Sequence, residues 1–241
     1  MIDFNCFVGA WPFYKVRRCS FEDLKNVHNE NGISFGYISS LESVFYNDFY
    51  ESEKELYNLI KGTEYKQVVT VNPTVDTCSA SLSDCIRSFK VSGIRLVPGY
   101  HGYNISSPVT NAVMEIAREN DLPVFISARL TDERLTHLLH PEALRMEDVL
   151  LFARNHPGTR IILNYVKDDE TKMLCGESNV FYDTTGLSSE FLTGDPSDTL
   201  KRAVFGSGFP LRSLKSSLFL MNEVNDEKLR ADVLSGAHIG L

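Results

Sequence analysis

The sequence predicts a single (β/α)8 (TIM) barrel, and three observations lead there. Short β-rich runs alternate with amphipathic helical patterns along the 241 residues, with no linker between them. Several of the runs, among them VVTV, PVFI and RIIL, are apolar throughout. Such runs suit strands buried on both faces of a parallel sheet, not the alternating strands of a half-exposed antiparallel one. There are also eight of them, and eight βα units in 241 residues match a barrel in number and size. A doubly wound open sheet is the competing topology, but the Gly-rich phosphate turn that follows its first strand is missing from FVGAWPFYK.

The β-rich runs cover 2–8, 33–40, 66–72, 93–98, 123–128, 160–165, 180–184 and 203–207. Between them, SFEDLKNVHNEN, ESEKELYNLIKG, SLSDCIRSFKVSG and VTNAVMEIARENDLP repeat apolar residues three and four apart, with polar starts and Gly or Asn-Asp ends. DEKLRADVLSGA adds an extra C-terminal helix, and residues 1–241 form one domain. In the first run, strict alternation turns Ile2, Phe4 and Cys6 to one face and Asp3, Asn5 and Phe7 to the other.

With 43% hydrophobic and 23% charged residues, the chain has material for a large core. A net charge of −8 offers no basic surface to nucleic acid or anionic lipid. The five cysteines are scattered without a C-x-x-C pair, which argues for reduced thiols over a disulfide framework or zinc knuckle. MIDFNCFVGAWPF lacks the basic start of a signal peptide, and no run of about 18 apolar residues offers a membrane span. A cytoplasmic location is the expectation.

IDFNCFVG, GIRLVPGYHGY, NVFYDTTGL, VFGSGFPL and SGAHIGL, in this order and at barrel spacing, resemble the amidohydrolase superfamily, in its branch of amidohydrolase-related metal-dependent hydrolases. The resemblance implies a barrel whose first strand carries Asp-x-His-x-His, with further metal ligands ending the fifth, sixth and eighth strands. At those places this chain has Asn5 and Phe7, Ser127, Tyr165 (or Asn164, one residue earlier) and Gly208. A catalytic zinc draws about three ligands from imidazole, thiolate and carboxylate, and these residues supply none. The expectation is an inherited metal site that has lost its ligands, with no metal and no cofactor. By descent the chemistry is hydrolysis of an ester, lactone or amide, or decarboxylation of a ring acid.

Barrel chemistry sits at the C-terminal ends of the strands. His101, on a Gly-flanked loop between tyrosines, is a candidate proton carrier, and Arg129 a candidate anchor for a carboxylate or phosphate. Asn5, Arg95, Ser127, Tyr165 and Asp183 complete a candidate substrate-binding set. Each has a structural reading beside the functional one: backbone bonding for His101, ion pairs with Asp3, Asp132 or Asp183 for the arginines, and turn formation for Asp183. Asp3 belongs to the stability face. His137 and His140 read as a solvated surface pair. The aromatic-acidic run 43–57 fits a helix over the barrel mouth, on the barrel wall or against a second subunit. Three functions remain open at this point: a metal-independent hydrolase or lyase for a small carboxylated compound, a non-catalytic barrel kept for binding or assembly, and a metalloenzyme with relocated ligands.

Overall fold

The computed structural model describes residues 1–130, 144–194 and 197–241. Each of the eight expected runs is a strand: β1 (Ile2–Val8), β2 (Phe35–Ser40), β3 (Lys66–Val71), β4 (Val91–Leu96), β5 (Val124–Ser127), β6 (Ile161–Asn164), β7 (Val180–Asp183) and β8 (Ala203–Val204). Every strand pairs in parallel with the next, in the order β1 to β8. The ring closes through backbone bonds of 2.8 Å from Phe4 N to Phe205 O, from Gly208 N to Asn5 O and from Phe7 N to Phe209 O. β8 is short because the Phe205 N–H turns away to Val233 O instead of extending the β7 ladder.

The helices are α1 (Phe21–Glu30), α2 (Tyr50–Ile60), α3 (Cys78–Ser88), α4 (Pro98–His101), α5 (Asn111–Glu119), α6 (Met146–Asn155), α7 (Asp168–Leu174), α8 (Ser189–Thr193), α9 (Ser197–Leu200), α10 (Leu214–Asn222) and α11 (Glu227–Ser235). Ser20 and Asp23 form a capping box at the start of α1, which buries Phe21, Leu24 and His28. The expected C-terminal helix is α11, capped by Asp226 and followed by a one-turn segment that carries Ile239 beneath the barrel. α2 packs on the barrel wall through Leu56 and Ile60, and the start of the 43–57 run turns toward the mouth. None of the described helices is long and apolar enough to cross a membrane.

Inside the ring, side chains stack in layers. The lower layer is apolar: Phe4, Tyr37, Val68, Phe125, Ile162, Phe181 and Val204, closed from below by Ile239. Gly93 is the β4 member of this layer, and a Cβ there would stand 2.7 Å from the Phe125 ring, so its bareness makes room for that ring. Two residues further along each of β2 to β7, the inward position is polar: Ser39, Thr70, Arg95, Ser127, Asn164 and Asp183, all fully or almost fully buried. Above them lies a second apolar layer of Phe7, Trp11, Leu41, Val44, Val97, Leu130 and Tyr165.

Candidate active site at the barrel head

β1 departs from strict alternation. Asp3 pairs with Gly36 and Cys6 with Ile38, so β1 holds one residue more than β2 between those points. The bulge corrects the expected face assignment. Phe4, Asn5 and Phe7 reach the barrel interior, while Asp3 and Cys6 both face outward beneath α1.

Arg95 is the hub of the polar layer and is fully buried. Its Nε donates to Ser39 Oγ at 2.9 Å, and its Nη1 is shared among Asn164 Oδ1 at 2.8 Å, Ser127 Oγ at 3.0 Å and Asn5 Oδ1 at 3.2 Å. Phe7 and Phe125 lie against the guanidinium faces, with ring centres 4.4 and 5.5 Å from Cζ. Burial pulls its pKa down to about 10, opposed by Tyr165 and Asp183, so it remains a cation at neutral pH.

The neighbouring anion is Asp183, joined to Arg95 through two asparagine amides. Asn5 and Asn164 each accept from the guanidinium through Oδ1 and donate through Nδ2 to Asp183 Oδ2, at 2.7 and 3.1 Å. Thr185 Oγ1 donates to the same oxygen, and the backbone N–H groups of Tyr165 and Thr185 donate to Oδ1. Burial pushes the Asp183 carboxyl up, while the Thr185 hydroxyl and these amides pull it down. The asparagines are thus placed to carry a charge-assisted chain between two buried ions.

Tyr165 follows β6 at φ +62°, the left-handed region, which turns its side chain into the upper apolar layer beside Asn164. The two residues that the sequence offers for the sixth strand end therefore both belong to the site. Gly208 is matched to this tyrosine. Its φ is +67°, and a Cβ there would stand 3.0 Å from Tyr165 Oη and 2.9 Å from Thr185 Cγ2. Among the described residues, three buried polar atoms of these two layers have no hydrogen-bond partner: Thr70 Oγ1, Arg95 Nη2 and Tyr165 Oη.

Of the candidate catalytic pair, His101 stands apart from this network and Arg129 reaches it at the Tyr165 carbonyl. His101 Nε2 bonds Val44 O at 2.8 Å, its ring stacks on Tyr103, and burial lowers its pKa. Arg129 is held bidentately by Glu170 at 2.6 and 2.9 Å and also donates to Tyr165 O; Glu170 is a partner beyond the acids expected, of which Asp132 lies outside the described residues. His137 and His140 lie outside the described residues. Sequence reasoning missed Glu53, an α2 carboxyl fully buried behind β3, bonded by Gln67 Nε2 and Thr70 N and raised to about 7 by burial. A Glu between Ser and Lys in an amphipathic helix gave no signal of it. It also missed that Asn5 and Asn164 work as a pair, which only the closed ring reveals.

Relocated metal ligands have one candidate among the described residues: Asp3, Cys6 and His28, whose ligand atoms lie within 4.8 Å of one another. Each already has hydrogen bonds. Asp3 Oδ1 accepts from Asn5 N and Ser207 N, His28 bridges Asp3 Oδ2 and the Tyr65 hydroxyl at 3.1 and 2.8 Å, and Cys6 Sγ bonds Tyr37 O. The cluster is buried between β1 and α1, remote from the strand ends where barrels do chemistry.

No protein-family model and no curated protein matches the chain. Solved structures do match it over its whole length, and they are TIM barrels of the amidohydrolase kind. One is 2,6-dihydroxybenzoate decarboxylase with 2,6-dihydroxybenzoate bound, at 14% identity and a TM-score of 0.72, covering 100% of both chains. A second is a candidate 2-pyrone-4,6-dicarboxylic acid hydrolase from Pseudomonas putida, at 16% identity and TM-score 0.68, with 99% of this chain and 97% of that one covered. A third is a candidate amidohydrolase from Staphylococcus aureus, at 9% identity and TM-score 0.70, with 100% and 99% covered. At these identities the likeness is one of fold.

A divalent ion is the group this fold kind implies, and the donor set at the barrel head does not fit one. Among the described residues the strand ends present a single carboxylate with all its contacts taken, and Arg95 already directs a positive charge at the amide and hydroxyl oxygens around it.

Proposed function

We propose that the chain is an amidohydrolase-type barrel in which Arg95 takes the place of the metal, and that it binds a small carboxylated ring compound at the barrel head without metal-dependent hydrolysis. The observation that carries this reading is the pair of buried, unpartnered groups, Arg95 Nη2 and Tyr165 Oη. An unpaired buried donor costs about 1–3 kcal/mol. A carboxylate oxygen would satisfy both, and guanidinium grips such groups well. The named substrates of two fold neighbours, a dihydroxybenzoate and a pyrone dicarboxylic acid, are of this class. Arg129 and His101 stand as rim groups that would orient such a ligand.

A second reading, a closed barrel with no ligand in its axis, is favoured by the apolar layer of Phe7, Trp11, Leu41, Val44 and Val97 that covers Arg95. Elemental analysis of the protein purified without chelator, followed by thermal-shift screening of benzoates and pyrone carboxylates, separates the readings. The proposal expects less than about a tenth of an equivalent of metal per chain. It also expects a stabilising carboxylate class whose effect weakens in Tyr165→Phe. Near-stoichiometric metal would overturn the arginine-for-metal reading. A screen without any stabilising carboxylate would favour the closed barrel.

A further inference from the structure

A second groove lies outside the barrel axis, between the β1–α1 connection and the segment that follows β8. It encloses about 350 Å³. Its rim carries Arg17, Arg18, Arg212 and Lys215, against one acid, Glu30. This is an unusual concentration in a chain of net charge −8. Among the described residues none of the four cations forms an ion pair. Arg18 acts on Asp23 only at longer range, and Arg212 lies over the Tyr165 ring, its Cζ 5.3 Å from the centre. Four like charges on one concave wall repel one another, so an anion held between them relieves a cost the free protein carries.

The floor of the groove sets the rest of the ligand. Phe209 and Pro210 line it together with aliphatic side chains, giving an apolar surface beneath the charged rim. α10 also begins here, and Ser213 makes no side-chain cap bond to its first turn, so the positive end of that helix adds to the same field. Guanidinium forks match phosphate bidentately, and a dianion answers several cations better than a single carboxylate does. The size lies at the lower end of small-molecule sites, about 300–1,000 Å³.

We infer that this groove binds a small phosphate monoester with an apolar or aromatic body, the phosphate on Arg17, Arg18 and Lys215 and the body against Phe209 and Pro210. The site lies outside the barrel axis and meets the barrel head at Arg212, whose guanidinium covers the Tyr165 ring.

The test is calorimetric titration of the full chain with phenyl phosphate at low ionic strength, with inorganic phosphate and benzoate as comparisons. Expected are saturable 1:1 binding of phenyl phosphate, weaker binding of inorganic phosphate, and a steep loss of affinity as salt is raised. The combined variant R17A/R18A/K215A, all exposed positions, should bind at least about tenfold more weakly with its melting temperature kept. Tyr165→Phe, which alters the barrel head, should bind phenyl phosphate as the parent does. No saturation at ~10 mM phenyl phosphate would overturn the inference. So would binding that the triple variant leaves intact, or inorganic phosphate binding as tightly as the ester, which would leave the apolar floor without a role.

Discussion

The guanidinium carbon of Arg95 lies 4.4 Å from the centre of the Phe7 ring, inside the upper part of a parallel barrel. A phenyl face is a poor metal ligand and a good seat for a cation. Phe7 therefore makes physical sense only together with Arg95. The pair also explains how a charge survives full burial: aromatic faces on the guanidinium, four neutral oxygens around its edge, and Asp183 one amide away.

Breaking this arrangement from either end should be costly. Arg95→Met leaves the Asp183 carboxylate buried without its cation, and Asp183→Asn leaves Arg95 without its anion. Each should destabilise by about 3–5 kcal/mol, measured by urea denaturation, because the surviving charge stays in an apolar shell. The double variant should lose less than the sum of the two.

Restoring an acid at the eighth strand end should fail on its own. Gly208→Asp places a Cβ against Tyr165 Oη at a left-handed position, and should cost about 2 kcal/mol or more. Combining it with Tyr165→His should recover part of that loss. Even with Asn5→His, Phe7→His and Ser127→His added, zinc affinity measured by competition with a chromophoric chelator should stay negligible while Arg95 remains. It should become measurable once Arg95 is replaced by a neutral residue.

Glu53 makes stability depend on pH. Its carboxyl is raised from 4.5 to about 7 by burial. Between those values the folded state keeps a proton that the unfolded chain has released, so stability falls as pH rises through this window and levels off above it. A shift of this size corresponds to about 3 kcal/mol. In Glu53→Gln this part of the pH dependence should vanish, and the variant should be the more stable at pH 8. Gln67 Oε1, unpartnered in the parent, offers an acceptor for the new amide.

Arg129 and Glu170 are both mostly buried and bonded through two contacts. Arg129→Ala should cost about 2–4 kcal/mol in chemical denaturation, since it strands Glu170 and a Tyr165 carbonyl bond. Glu170→Gln should cost less. If Arg129 only shapes the Tyr165 turn, ligand shifts of the conservative Arg129→Lys variant should persist.

Much of the frame was legible because strands such as RIIL and PVFI are too apolar to have a wet face, which forces helices onto one side and a closed core onto the other. The eighth run was harder: AVFGS looks like a full strand, but Val204 ends the regular ladder and the rest pairs irregularly with β1. Parity failed once, in β1. An extra residue between Asp3 and Cys6 has no mark in IDFNCFV, because a bulge leaves the chemistry of the residues unchanged and alters only their direction. Arg95 was visible as an odd cation in a strand. Asn5, Ser127 and Asn164 were visible as strand-end residues but not as its partners, and Ser39 not at all, since the four come from β1, β2, β5 and β6 and meet only through the third dimension.

The cage around Arg95 has a bearing on the circumstances in which this barrel stays intact. A metal that ties strand ends together is borrowed from the surroundings: it exchanges, it is stripped by competing chelators, and its supply varies. A guanidinium tethered through its own backbone to β4 is made with the chain and is present in every molecule once translation is complete. The top of this barrel is accordingly cross-braced by a component with no off-rate.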